Sequence, residues 1–170
     1  MPSGSHVMLD LYGFMLTARI LDEFESRLTR SGEVSFHSSG AGHESTAALA
    51  FHLGPSDWLH CHYRDTALMI ARGVSPEAFF SSLLCKDTSH SRGRQLNVMM
   101  SCPELNLLSI VTPVGNGALQ SVGVASAIRD DKENPIVLCG LGDGMTQQGE
   151  VCEAIGEAAR DSCPVLFLIE

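Results

Sequence analysis

Apolar positions in this chain follow two periods, one helical and one matching short buried strands. Between Val7 and Arg30, residues Leu11, Phe14, Ala18, Leu21 and Leu28 recur at spacings of three, four and seven. That pattern predicts a long helix, ended by Gly32. Residues 34–42 are polar and glycine-rich and read as a loop, and the alanine-rich stretch His43 to Leu53 reads as a second helix. Gly54-Pro55-Ser56-Asp57 marks a turn, and Trp58 to His62 is a short extended segment leading into Tyr63-Arg64. Asp65 to Arg72 is predicted helical, and Ser75-Pro76-Glu77 starts another helix, with Ser as cap and Pro in the first position. Lys86 to Gln95 carries Lys86, Arg92 and Arg94 with almost no apolar residue, so a mobile basic loop is expected. Gly115 to Ile128 is predicted helical, with Gly117, Ser121 and Ala125 on one side, where small residues allow close packing.

The last third of the chain is more specific. Pro135 to Cys139 is short, apolar and closed by glycines, which predicts a buried strand. After the turn Gly142-Asp143-Gly144, residues Val151, Cys152, Ile155, Ala158 and Ala159 are expected on one helical face. Pro164 to Ile169 is a second apolar run. Strand, turn, helix and strand make a βαβ crossover, hence an α/β fold with a parallel sheet flanked by helices. Ligands of such folds gather at the carboxyl ends of the strands, where Asp143 lies. Flanking glycines permit close approach of a phosphate, and a carboxylate beside that phosphate calls for a hard cation between them. Mg²⁺ fits, being held by one or two carboxylates plus phosphate oxygens.

With 170 residues, 44% hydrophobic and 18% charged, the composition suits one globular domain over 1–170, with residues 1–32 as an amino-terminal helical extension. A net charge of −9 argues against a general nucleic-acid partner. No apolar run reaches the ~20 residues of a membrane span. The six cysteines contain no Cys-x-x-Cys pair, and Cys139 and Cys152 fall at apolar positions expected to be buried. A reducing, cytoplasmic setting follows. Met1-Pro2-Ser3-Gly4-Ser5-His6 reads as an added tag or a natural start and lacks the arginines of a transit peptide.

Four motifs, in this order and spacing, resemble the alpha subunit of the thiamine diphosphate-dependent 2-oxo acid dehydrogenases. These are the E1 components that feed pyruvate, branched-chain oxo acid or acetoin dehydrogenase complexes. Gly42-His43-Glu44 resembles the family's Gly-Gln-Glu. Tyr63-Arg64, followed by Arg72-Gly73, resembles its Tyr-Arg and Arg-Gly. Gly93-Arg94-Gln95 is similar to the Gly-Arg-Gln of the loop before the central helix, most like branched-chain members. Gly142-Asp143-Gly144 with Gln148-Gly149 resembles the diphosphate-binding motif. The resemblance runs from about Leu11 to Glu170 and would cover roughly the amino-terminal half of such a subunit. It implies a thiamine diphosphate-binding fold, incomplete at the carboxyl end. The Asn that completes the Mg²⁺ set would be the first or second residue past Glu170, so a fragment cut inside its own motif, inactive by itself, is expected.

By that resemblance His62, Tyr63 and Arg64 lie at the cofactor diphosphate, where a guanidinium binds phosphate oxygens bidentately. Thr112 and Val114 match the turn that bonds the aminopyrimidine, with Val114 propping the bent cofactor. Gly142, Asp143, Gly144 and Met145 form the diphosphate turn, and Asp143 is the Mg²⁺ ligand. Simpler readings stand beside these. Tyr63-Arg64 is an exposed surface pair, His62 a partly buried strand histidine, Val114 a core residue, and Asp143 a helix N-cap. His60-x-His62 lacks a third ligand for zinc. His43 replaces the family's Gln, Met99 or Met100 stands where a His follows the Gly-Arg-Gln loop, and Ser38 stands where pyruvate enzymes often place a His. The last two lean toward an oxo acid other than pyruvate.

The resemblance implies decarboxylation of a 2-oxo acid on the cofactor ring and transfer of the acyl group to a lipoyl-bearing E2 acyltransferase. The activating Glu would come from an E1 beta subunit or fused beta domain, so no catalytic residue is expected in this chain. Two rivals remain. Gly140-x-Gly142-x-Gly144 with Glu170 imitates a NAD-binding loop and its ribose-binding acid, and a non-catalytic assembly role is the other.

Overall fold

The computed structural model describes residues 4–170, so Met1-Pro2-Ser3 lies outside the described residues. The chain forms two compact units, one comprising residues up to Leu53 together with Tyr63–Met100, the other Gly54–His62 together with Ser101–Glu170.

In the first unit, helix α1 (Gly4–Arg30) is followed by a 3-10 helix (Glu44–Phe51), α2 (Thr66–Arg72) and α3 (Pro76–Leu83). The predicted stripe of α1 is present, with Ala18 and Leu21 buried. The gap of seven between Leu21 and Leu28 is filled by Glu25, a carboxylate only 4% exposed. The alanine-rich segment winds as a 3-10 helix and not as the α-helix its composition favours. Propensity yields to packing here: Ala47 is fully buried, and Thr46 bonds the His43 carbonyl through both its backbone N–H and its hydroxyl. Ser75 caps α3 as expected, its side chain accepting from the Ala78 N–H with Pro76 in the first turn.

The basic loop 86–95, expected to be mobile for want of apolar anchors, is held by polar groups instead. Ser89 is buried; its hydroxyl donates to the Lys86 carbonyl at 2.7 Å and accepts from the Gly93 N–H at 2.9 Å. Gly93 has φ +70 and presses on the Cys85 backbone, so both its conformation and its closeness call for glycine.

In the second unit, strands β1 (Trp58–His60), β2 (Val137–Leu141) and β3 (Val165–Ile169) make a parallel sheet in the order β1-β2-β3. β2, in the middle, is buried along its whole length. Helices α4 (Gly117–Ile128) and α5 (Gly149–Arg160) bring Ala118, Val122, Val151, Ala154 and Ala158 onto Cys139 and Leu141 of β2. The βαβ crossover is therefore β2, α5, β3. The small-residue side of α4 is buried as predicted, including Gly117, Ser121 and Ala125. The α5 prediction needs correction. Its buried stripe is Val151, Ala154 and Ala158, whereas Cys152, Ile155 and Ala159 face solvent. The stripe is narrow because α5 packs through small side chains, and the larger apolar residues beside it fall off the contact. None of the six cysteines is in a disulfide, with Cys61 and Cys139 buried and Cys85 and Cys152 exposed.

Candidate functional site

The carboxyl ends of the three strands of the second unit converge. At the end of β2, Leu141 accepts from the Glu170 N–H at 3.0 Å, and Glu170 in turn accepts from the Asp143 N–H at 3.0 Å. These backbone bonds tie the Gly142-Asp143-Gly144 turn to the end of β3. Residues Asp143–Gln147 then form a 3-10 turn, with Gly142 at its cap position. Asp143 is exposed, and its Oδ1 accepts from the Gly144 N–H at 2.7 Å. It does not cap α5. That role belongs to Gln148, whose side chain accepts from the Glu150 N–H at 2.6 Å. The N-cap explanation of Asp143 thus fails.

Neither flanking glycine adopts a left-handed backbone. A Cβ at Gly144 would meet nothing within 4 Å, and one at Gly142 would make ordinary contact with His62 Nε2 at 3.6 Å. The chain's own packing does not require glycine at either place. What Gly144 preserves is open space beside an exposed carboxylate, which suits a group approaching from outside.

A second predicted segment is brought to this turn. Thr112 and Val114 are exposed, Val114 at 54%. The following Gly115 has φ +82, and a Cβ there would lie 3.0 Å from Val151 Cγ2 and 3.2 Å from the Gln148 side chain. Asn116 Nδ2 donates to Glu150 Oε2 at 3.4 Å. The 112–116 turn is therefore docked on the start of α5, next to the Asp143 turn. Val114 being exposed, the core-packing reading of it fails. Gln148 and Gly115 were not among the predicted site residues. Gln is an uncommon cap, so only its place before Gly149 signalled the role. Met145 is half-buried and packs on the core under the turn. His62 is buried, between Gly142 and Glu170, with its Nδ1 3.9 Å from Glu170 Oε1.

Tyr63 and Arg64 lie in the first unit and are half-buried. The Arg64 guanidinium sits 5.2 Å from the centre of the Tyr63 ring, within cation–π range, and donates to the Ser39 carbonyl. Glu44 of the Gly42-His43-Glu44 motif is bound by Arg19 at 2.7 Å and by the Gly42 N–H at 2.9 Å. Burial pushes its carboxyl upward, but its backbone bonds and Arg19 together outweigh that and hold it below the usual range. Met99 and Met100 are buried.

Among the described residues no three His, Cys, Asp or Glu side chains cluster as a metal cage. One carboxylate, Asp143, suits a Mg²⁺ carried mainly by phosphate oxygens. Glu170 bears on the dinucleotide reading. Its side chain is 10% exposed and turned toward His62, not presented to a ribose. The glycine turn also leads into a 3-10 turn, and α5 begins only at Gly149, so no helix N-terminus meets a pyrophosphate at that loop.

His60, at the end of β1, carries a pH signature. It is buried, and burial holds its imidazole below the ordinary histidine value, with a Gln120 hydrogen bond opposing. The unfolded chain takes up a proton that the folded one resists. Stability should be full above about pH 6.5 and fall as pH drops below it, by at most about 1.4 kcal/mol per pH unit. Glu25 works in the opposite sense. Burial raises its carboxyl, with Asn97 and then His37 pulling it down and Asp22 adding to the rise, so its contribution is lost as pH rises. Denaturant unfolding of wild type and His60→Gln between pH 7.5 and 5.5 separates the two. The variant should show the shallower acid loss, and identical slopes would remove His60 as the cause.

The sheet, the ligand turn at its carboxyl edge and the exposed carboxylate define a parallel α/β protein with a candidate anion and cation site. Residues 12–170 match the dehydrogenase E1 component family, and the chain belongs to it. It is 32% identical over 166 residues to the pyruvate dehydrogenase E1 component subunit alpha of Staphylococcus aureus, covering 96% of this chain and 42% of that protein. To the 3-methyl-2-oxobutanoate dehydrogenase subunit alpha of Mycobacterium tuberculosis it is 30% identical over 161 residues, covering 94% and 41%. To the mitochondrial 2-oxoisovalerate dehydrogenase subunit alpha 1 of Arabidopsis thaliana it is 27% identical over 168 residues, covering 98% and 36%. The chain thus spans well under half the length of these relatives. They include both pyruvate and branched-chain members, so identity does not bear out the lean away from pyruvate.

Proposed function

We propose that this chain is the cofactor-diphosphate part of an E1 alpha subunit that acts in oxidative decarboxylation of a 2-oxo acid. The observation that carries the reading is the turn at Asp143: an exposed carboxylate at a strand end, not used as a helix cap, between two glycines that the chain's own packing does not require. The residues present fit thiamine diphosphate with Mg²⁺. Asp143 would hold the cation, and Gly142, Gly144 and Met145 would line the diphosphate. Tyr63 and Arg64 are assigned to the same group's charge, and His62 supports Gly142 from its buried side. Thr112 and Val114 would meet the pyrimidine end, where the exposed Val114 side chain offers an apolar prop. When bound, the cofactor supplies a ring that stabilises a carbanion. The partners are an E1 beta part, separate or fused, and a lipoyl-bearing E2 acyltransferase, to which the acyl group passes. We read residues 1–170 as one E1 alpha-like domain, the oligomer as an α₂β₂ type, and the setting as cytoplasmic, consistent with six cysteines outside any disulfide.

The complete protein with its beta part tests this. Thiamine diphosphate and Mg²⁺ should support CO₂ release from pyruvate or a branched-chain oxo acid. Binding of NAD, with none of thiamine diphosphate, would favour the dinucleotide rival instead.

The basic loop gives a second test. Its polar anchors leave Arg92 and Arg94 uncommitted to any apolar core, and a diphosphate retains charge after Mg²⁺ binds. Hydrogen exchange across residues 89–95 should slow when thiamine diphosphate and Mg²⁺ are added. Equal protection with and without them would leave Arg94 a surface residue.

A further inference from the structure

The geometry points to Asp22 as a positioning residue for Arg64, acting through the loop 37–40. This rests on the assignment of Arg64 to a diphosphate made above. The loop offers little apolar surface to hold it in place, and Asp22, on α1, organises it. Its Oδ1 lies 3.1 Å from His37 Nε2 and accepts from the Gly40 N–H at 2.9 Å, while its Oδ2 accepts from the Ser39 hydroxyl at 2.9 Å. One carboxylate thus holds three residues of one loop.

That loop in turn holds Arg64 at two places. The Ser39 carbonyl accepts from Arg64 Nη1. Gly40 presses on the arginine's main chain, where a Cβ would come 2.8 Å from the Arg64 carbonyl oxygen. The cavity beside them, lined by Asp22, Glu25, Glu44 and Arg64 among others, is about 10 Å³ and takes no more than a water. It is a packed support and not a pocket.

The choice of groups matters for charge. A carboxylate placed directly on the guanidinium would neutralise it and compete with an incoming diphosphate. A carbonyl orients the side chain through one of its five N–H groups and leaves the positive charge and the other donors available. Asp22 supplies rigidity from one residue further back, and its own charge is satisfied by the loop. Of the other two acids beside that cavity, Glu44 is taken up by Arg19 and Gly42, and Glu25 accepts from Asn97.

The test is a double-mutant cycle on the complete protein with its beta part. Affinity for thiamine diphosphate with Mg²⁺ is measured by calorimetry, and turnover is measured at saturating cofactor. Asp22→Asn keeps the shape but removes the charge and turns one acceptor oxygen into an amide donor, so the hold on the loop donors is weakened. It should weaken cofactor binding about tenfold or more, the range for groups that orient a ligand-contacting side chain, with turnover at saturation largely kept. Arg64→Ala should weaken binding as well, and adding Asp22→Asn to it should cost nothing further. Gly40→Ala disturbs Arg64 from the loop side, through its main chain, and leaves the Asp22 side chain in place. It should show the same dependence on Arg64, which keeps the test open if Asp22→Asn does not fold. Unchanged affinity in Asp22→Asn, or a full additional loss in the Arg64→Ala background, would overturn the proposal. Wild-type protein that binds no thiamine diphosphate would overturn the cofactor assignment, and this proposal with it.

Discussion

Asp143→Ala in the complete enzyme is expected to abolish Mg²⁺-dependent binding of thiamine diphosphate, a loss of about a hundredfold or more, while the fold survives. Both halves of that expectation come from the same geometry. The side chain is exposed, and its bond to the Gly144 N–H is local. The interactions that fix the turn use the Asp143 backbone, its N–H to Glu170 and its carbonyl to the Thr146 hydroxyl, and alanine keeps both. Stability should therefore stay within about 0.5 kcal/mol of wild type. The affinity loss follows from charge. Without the carboxylate a Mg²⁺ would have no anionic protein ligand at this turn, and a diphosphate would be drawn in less strongly. Titrations with and without Mg²⁺, beside thermal unfolding of both proteins, decide it. Unchanged cofactor affinity would remove Asp143 from the site.

Gly117→Ala should destabilise the second unit by about 2–3 kcal/mol. A Cβ at Gly117 would fall inside contact distance of the buried His60 ring, 2.6 Å from Nδ1 and 2.7 Å from Nε2. The ring is rigid and buried at the end of β1, so α4 itself must move. Ser121, one turn on and fully buried, donates its hydroxyl to the Gly117 carbonyl and would be carried along. Gly156→Ala is the control. It lies inside α5 with nothing within 4 Å of a new Cβ, so it should stabilise the helix by about 0.5–1 kcal/mol. Denaturant unfolding of the two variants should move in opposite directions. A Gly117→Ala protein as stable as wild type would mean that the helix does not sit on His60.

The small-residue side of α4 illustrates how far sequence reading reached. Gly117, Ser121 and Ala125 stood out as a close-packing face, and they are buried. That the packing partner at Gly117 is an imidazole was not visible, because His60 is distant in sequence and belongs to another element. Glu25 shows the same limit from the other side. The apolar stripe along α1 leaves it out, since a carboxylate in a sequence reads as solvent-facing surface. In the folded chain it is buried, bonded by Asn97 at 2.8 Å. Cys152 and Ile155 face solvent for a third reason. A helical period identifies a stripe but not its width, and the width is set by the partner surface.

The sequence alone determined the crossover β2, α5, β3, the Asp143 turn at a strand end, and the order of motifs that marks the E1 family. Each rests on residues close together in the chain, where periodicity, glycine and turn chemistry act directly. The tertiary structure decided how the candidate site is held: Gln148 capping α5 while supporting Gly115, the turn of Thr112 and Val114 docked against that helix, and Asp22 fastening the loop that grips Arg64. These are polar contacts and close approaches between distant segments. Hydrogen bonds and excluded volume act only once such segments meet, and linear spacing carries no record of that meeting.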